Sequence, residues 1–284
     1  MRIFRAYFTI IRVQNCLIAS LAVAVGQYLS ASSIAMPLNH FAMGAAFFVC
    51  GFGNIVNDIV DIKPDNINHP TRALPSGIIT IGAAKALAGL FLIVSCILSM
   101  FLNWQSIIIV DLALILLTVY NLKLKHTPYC GNLIVALLGG LTFILGGLTI
   151  GSKGLLELPG AIIPAVFAFL MHLGREILKD IQDCEGDKSV GSKTAPVRSG
   201  RITPLLISYA IFVIMAILSW SAYSRGWYGT SFLYISASFI YVPLALQFIW
   251  LGLRPEPRKC AIVATLIKIE MLPGIAALVI GKSY

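Results

Sequence analysis

The chain has 284 residues, of which 58% are hydrophobic and only 12% charged, with a formal net charge of +9. Soluble domains carry about a quarter charged residues, so a water-soluble fold is excluded, and with it nucleic-acid binding as the reason for the positive charge. The six cysteines, Cys16, Cys50, Cys96, Cys130, Cys184 and Cys260, show no CxxC pair, so they read as small buried hydrophobes and not as a disulfide or zinc framework.

A membrane span needs about 20 consecutive apolar residues, and nine such segments can be drawn. The first covers 8–31. Arg12, Gln14 and Asn15 interrupt it and no small-residue cleavage site follows, so it is expected to be a retained helix and not a signal peptide. Arg12 and Asn15 share a helix face. A charged residue inside an apolar segment is a functional candidate by default, with snorkelling to the headgroups as the plainer reading. The second segment, 39–60, ends in Asn54-Ile-Val-Asn57-Asp58-Ile-Val-Asp61-Ile-Lys-Pro-Asp65.

The third and fourth segments are 80–101 and 104–121, the latter enclosing Asp111 and leading into Tyr120-Asn-Leu-Lys123-Leu-Lys125. The fifth, 130–151, contains glycine pairs at 139–140 and 146–147 that read as close helix packing. The sixth, 159–179, leads into Glu176-Ile-Leu-Lys179-Asp180-Ile-Gln-Asp183-Cys-Glu-Gly-Asp187. The remaining three are 204–223, 230–251 and 260–281. Lys268 and Glu270 in the last lie two residues apart and therefore on different faces; neither is assigned a role. Trp104, Trp227 and Trp250 read as interface anchors. His40, His69, His126 and His172 have no metal-ligand spacing and are expected to be solvated or packed.

With nine crossings, the N-terminus and the loops after segments two, four, six and eight carry seventeen of the 21 Lys and Arg residues. The positive-inside rule then places the N-terminus in the cytoplasm and the C-terminus outside. Eight of the 12 acidic residues fall in the two short stretches quoted above, both at cytoplasmic helix ends. In each, three aspartates stand at i, i+3 and i+7, within an arc of about 60° on one helix face. Pro64 and Gly186 are expected to end the two helices near the last aspartate.

One charged side chain at the bilayer centre costs roughly 2.5–3.5 kcal/mol, so six there would cost on the order of 15–20 kcal/mol. They must face a wet site and a compensating cation. Mg²⁺ prefers oxygen ligands and commonly joins carboxylates to phosphates, and two facing clusters suit two such ions with a diphosphate between them. A single DxxD would read as solvated loop acids; two copies of one spacing in an acid-poor chain do not.

These residues resemble a known family. Asn57-Asp58-Ile-Val-Asp61-Ile-Lys-Pro-Asp65 is similar to the NDxxDxxxD motif of the UbiA superfamily of intramembrane prenyltransferases, and Asp180 to Asp187 to its second motif, DxxDxxxD. Asn68-His-Pro-Thr-Arg72-Ala-Leu-Pro-Ser76-Gly77 resembles the NxPxRPLxSG loop, departing at Ala73, and Tyr120 to Lys125 resembles the YxxxK segment. The resemblance implies an all-α integral membrane protein, nine transmembrane helices around a central cavity capped on the cytoplasmic side, in one domain over 1–284. It implies a polyprenyl diphosphate donor and a lipid-soluble acceptor.

Within the family, Gly174-Arg175-Glu176-Ile-Leu-Lys179-Asp180 and, more weakly, Gly131-Asn132-Leu133 look most like the archaeal branch that transfers a geranylgeranyl group from geranylgeranyl diphosphate to geranylgeranylglyceryl phosphate. Prenylation of an aromatic acceptor such as 4-hydroxybenzoate is the alternative. The expected metal ligands are Asp58, Asp61 and Asp65 for one Mg²⁺ and Asp180, Asp183 and Asp187 for the other. Asn54 and Asn57 accompany the first set. Arg72, Lys123 and Lys179 are expected to meet the leaving diphosphate, with Lys179 the one whose spacing turns it away from its cluster. Arg12, Asn15, Lys125 and Arg175 are expected at an acceptor phosphate. From other classes, a secondary transporter would place its acids near the midplane, and a membrane scaffold would only pair them with nearby bases.

Overall fold

The computed structural model describes residues 2–31, 39–125, 127–189 and 191–282; His126 lies outside them. In chain order the helices are α1 (Arg2–Ile11), α2 (Val13–Ser30), α3 (His40–Val60), α4 (Ile62–Asn68), α5 (Ile81–Ser99), α6 (Trp104–Val119), α7 (Cys130–Ile150), α8 (Ser152–Leu156), α9 (Ile162–Ser189), α10 (Ala195–Ser199), α11 (Ile202–Ser224), α12 (Thr230–Ser236), α13 (Val242–Leu251) and α14 (Pro257–Ile280). Among the described residues, 8 helical stretches are long and apolar enough to cross a membrane. The ninth long helix is α9, whose 28 residues span about 42 Å. Its second half carries the acidic cluster, which is why composition alone does not mark it as a span. The rods follow the nine segments in order, and the chain is a multi-pass membrane protein.

Local chemistry sets the helix ends. Asn39, Thr80 and Asn103 cap α3, α5 and α6, each side chain accepting a backbone N–H three residues on, from Ala42, Ala83 and Ser106. Pro257 opens α14, where its missing N–H costs nothing. The first segment is not one helix: Arg12 adopts left-handed backbone geometry, φ 53° and ψ 57°, and separates α1 from α2. The two acidic helices do end near the last aspartate, α4 at Asn68 and α9 at Ser189, although neither Pro64 nor Gly186 is the residue that stops them. Pro64 sits inside the first turn of α4, where proline is tolerated, and α9 continues through Gly186 to Ser189.

Two wide i→i+5 turns interrupt the rods. One, Tyr120–Leu124, extends α6; the other, Ala237–Tyr241, joins α12 to α13. The second precedes Pro243, which has no N–H to continue the regular ladder.

The packing surrounds a space. α3 lies between α2 and α5; α7 joins α2 to α9; α9 packs on α11 and α14; and contact between α14 and α2 closes the ring. Buried apolar residues accordingly form four seams and not one central core. One helix pair, α2 with α7, packs closely because glycine lets the backbones touch. A Cβ at Gly146 would lie 2.2 Å from the Val23 carbonyl oxygen, and one at Gly26 2.4 Å from that of Phe143, which brings α2 against α7. Outward faces carry exposed Leu90, Ile93 and Ile97 on α5 and Val213, Ile217 and Trp220 on α11, surfaces suited to lipid tails.

Candidate active site

The ring encloses a cavity of about 600 Å³. α4 packs against α9, which brings the tail of the first acidic stretch to the second. Asp61, Asp65, Asp180, Asp183 and Asp187 all line this cavity, as do Arg12, Asn15, Asn54, Asn57, Arg72, Lys125, Arg175 and Lys179. Two expected residues do not. Asp58 is buried behind the wall and Lys123 is exposed outside it.

The first cluster is held by bases brought from three other segments. The break at Arg12 turns its guanidinium onto Asp58, Nη2 to Oδ1 2.6 Å. Arg72 donates from Nη1 to both oxygens of Asp65, each 2.7 Å. The loop carrying Arg72 is anchored by buried Ala73, Leu74 and Ile79 in the seam with α1, α3 and α5. Lys125 donates to Asp61 and, at 2.7 Å, to Asn57 Oδ1. Asn57 also donates to Asp61 at 3.0 Å, while Asn54 donates to the Ile11 carbonyl at 2.9 Å and so braces the bend before Arg12.

The wide turn after α6 explains why Lys125 and not Lys123 reaches the site. The Lys125 N–H bonds Tyr120 O at 2.9 Å, and its ammonium lies 5.9 Å from the Tyr120 ring centroid. Such turns recur at functional sites. Burial pushes the Lys125 ammonium below its usual pKa, against the pull of the Asp61 carboxylate.

The second cluster draws on other partners. Asn132 donates to Asp180 at 3.0 Å and Thr194 to Asp187 at 3.0 Å. His69 Nε2 stands 3.9 Å from Asp183 Oδ1, a contact that ties the two acidic stretches together. Glu176 is the carboxylate that spacing did not assign. It is 8% exposed and accepts from Arg175 at 2.6 Å and Lys179 at 2.7 Å. Lys179 therefore faces the cavity and not away from it. Sequence reasoning also left out His69, His172, Tyr120 and Lys268, all in the cavity wall. His69 carried a signal, lying three residues before Arg72, and Lys268 carried the same one as Arg12, a charge within an apolar run; His172 carried none beyond being polar there. Asp111 is exposed on α6.

Among the described residues no three His, Cys, Asp or Glu side chains converge on one point, because the carboxylates are turned to these basic and amide partners. The donor set nonetheless suits a hard divalent cation. Six carboxylates, those of five aspartates and Glu176, share one cavity, rimmed by cations that also fit phosphate. Away from the rim the walls are apolar, with Phe167, Met171, Met215, Phe232, Ile275 and Leu278 among them.

Comparison with known proteins agrees with this architecture. The model of the UbiA prenyltransferase family matches residues 16–271. The chain is 34% identical over 288 residues to digeranylgeranylglyceryl phosphate synthase of Methanocaldococcus jannaschii, covering 98% of this chain and 96% of that one. It is 35% identical to the enzyme of that name from Methanobrevibacter smithii, covering 97% of each. A solved digeranylgeranylglyceryl phosphate synthase structure superposes with a TM-score of 0.73 at 32% identity, covering 99% of both chains. A UbiA homologue from Archaeoglobus fulgidus, solved with GPP and Mg²⁺, shares the fold at TM-score 0.67 and 23% identity, over 96% of this chain and 99% of that one. The match over most of the chain, the shared fold and two aspartate stretches opening on one cavity lead to one assignment: the chain belongs to the UbiA prenyltransferase family and is a membrane prenyltransferase.

Proposed function

We propose that residues 1–284 form one prenyltransferase domain that transfers a geranylgeranyl group from geranylgeranyl diphosphate to geranylgeranylglyceryl phosphate, giving digeranylgeranylglyceryl phosphate. The observation that carries this is the shared cavity: acids and bases crowd one end of it and apolar side chains line the rest. That division matches a diphosphate head and an isoprenoid tail, and relatives named for this product cover nearly the whole chain. The charge bias of the loops supports a cytoplasmic N-terminus and acidic rim at the cell membrane.

Asp61 and Asp65 on one side and Asp180, Asp183 and Asp187 on the other would hold Mg²⁺, two ions being expected, with Asp58 joining the first set once Arg12 releases it. When bound, the metal neutralises charge on the departing diphosphate. Arg72 and Lys125, freed from Asp65 and Asp61, then donate to the diphosphate oxygens and stabilise the same charge. Lys179 is placed to assist from α9. The bond from the allylic carbon to the diphosphate oxygen breaks, and the acceptor hydroxyl oxygen bonds that carbon. Its proton leaves to a carboxylate or to the released diphosphate. The apolar wall keeps water from the electron-poor carbon.

The test uses purified protein in detergent with radiolabelled geranylgeranyl diphosphate and Mg²⁺. Geranylgeranylglyceryl phosphate and 4-hydroxybenzoate are compared as acceptors, each with and without EDTA. EDTA-sensitive transfer to the glyceryl phosphate alone is expected. Transfer only to the aromatic acid would overturn the acceptor, and EDTA-resistant transfer would overturn the metal.

A further inference from the structure

Lys268 is the twelfth of the 24 residues of α14, in the middle of a span, and it lines the cavity. A cation at this depth is costly to place and marks a functional position by default. Arg175, Arg12 and Lys179 all act on it electrostatically. Those three have carboxylate partners, Glu176 for Arg175 and Lys179, and Asp58 for Arg12. Among the described residues Lys268 has no ion pair. The four cations thus share two carboxylates, and the excess positive charge is one that the anion of a ligand would balance.

The geometry around Lys268 is built. Arg175 Nε donates to the Ala264 carbonyl at 3.0 Å, one turn before Lys268 on the same face of α14. The guanidinium is thus pinned to the stretch of wall that carries Lys268. Beyond Lys268 the cavity face of α14 is apolar, formed by Met271, Gly274, Ile275 and Leu278. Two buried polar atoms in the same cavity wall, Asn15 Oδ1 and His172 Nδ1, have no hydrogen-bond partner among the described residues. The cations tied to aspartates in the acidic arms, Arg72 and Lys125, belong to the other part of the rim.

The geometry points to Lys268, with Arg175 beside it, as the binding site for the phosphate head of the acceptor, whose chain runs along the apolar face of α14. This rests on the acceptor reading given above. It separates the two anions of the reaction: the donor diphosphate goes to the aspartate arms and the acceptor phosphomonoester to α14.

The experiment measures KM for each substrate in Lys268→Gln and Lys268→Arg enzymes. Loss of one charge-assisted contact is expected to raise the KM for geranylgeranylglyceryl phosphate about tenfold or more in Lys268→Gln. The KM for geranylgeranyl diphosphate should stay within about twofold, and Lys268→Arg should recover most of the acceptor affinity. The unchanged donor KM shows that the variant is folded. An unchanged acceptor KM, or a parallel rise in both KM values, overturns the assignment of Lys268 alone. A wild-type enzyme that makes no product from the glyceryl phosphate overturns the acceptor reading and this inference with it.

Discussion

Arg12 shows how one residue joins local backbone to chemistry. A non-glycine residue in the left-handed region costs of order 1 kcal/mol, and here the bend aims a guanidinium at a carboxylate only 7% exposed. Arg12→Ala keeps the backbone cost and strands Asp58, so it should lower stability by about 1–3 kcal/mol. Arg12→Gly relieves the backbone and should lose less, an ordering that thermal unfolding in detergent checks. Asp183→Ala, by contrast, removes a cavity carboxylate whose only ion-pair contact among the described residues is the 3.9 Å approach of His69. It should leave Tm nearly unchanged while reducing kcat by about 100-fold or more, and near-normal turnover would remove Asp183 from the metal set. Both aspartate triplets were legible in the sequence because a period of three to four leaves a mark. The partners Asn132, Thr194 and Lys125 were decided by tertiary contact. Lys123 and Lys125 could not be told apart until the wide turn after α6 fixed which one faces inward.

At the scale of the helix, the segments follow the apolar runs closely, since span length is set by bilayer thickness. What the runs do not encode is where a rod bends or continues. The break at Arg12, the passage of α9 through Gly186 and the wide turn Ala237–Tyr241 are such places. The α2–α7 seam was partly visible as glycine pairs. Gly146→Ala sets a methyl 2.2 Å from Val23 O and should cost about 1–3 kcal/mol as overpacking against an unyielding backbone. Gly89→Ala on α5 meets open space and should be neutral or stabilising by up to about 1 kcal/mol. Comparing the two unfolding temperatures separates close approach from a general intolerance of side chains.

For the whole molecule, the charge bias predicts orientation. A cysteine replacing exposed Lys193, after α9, should react with a membrane-impermeant thiol reagent only from the cytoplasmic face, and one replacing exposed Lys153, on α8, only from the opposite face. Labelling of both from one side would break the nine-crossing topology.

The ion pairs Arg12–Asp58, Lys125–Asp61 and Arg72–Asp65 also make the cavity its own counter-ion reservoir. Loading it is then an exchange of partners: each aspartate gives up an internal cation for a divalent one, and each released base takes a phosphate oxygen. Neither half of that swap is favourable alone, because it would leave buried charges of one sign. Donor and divalent cation should therefore bind with strong mutual cooperativity and with little net uptake of salt ions, as in a resin that trades one ion pair for another.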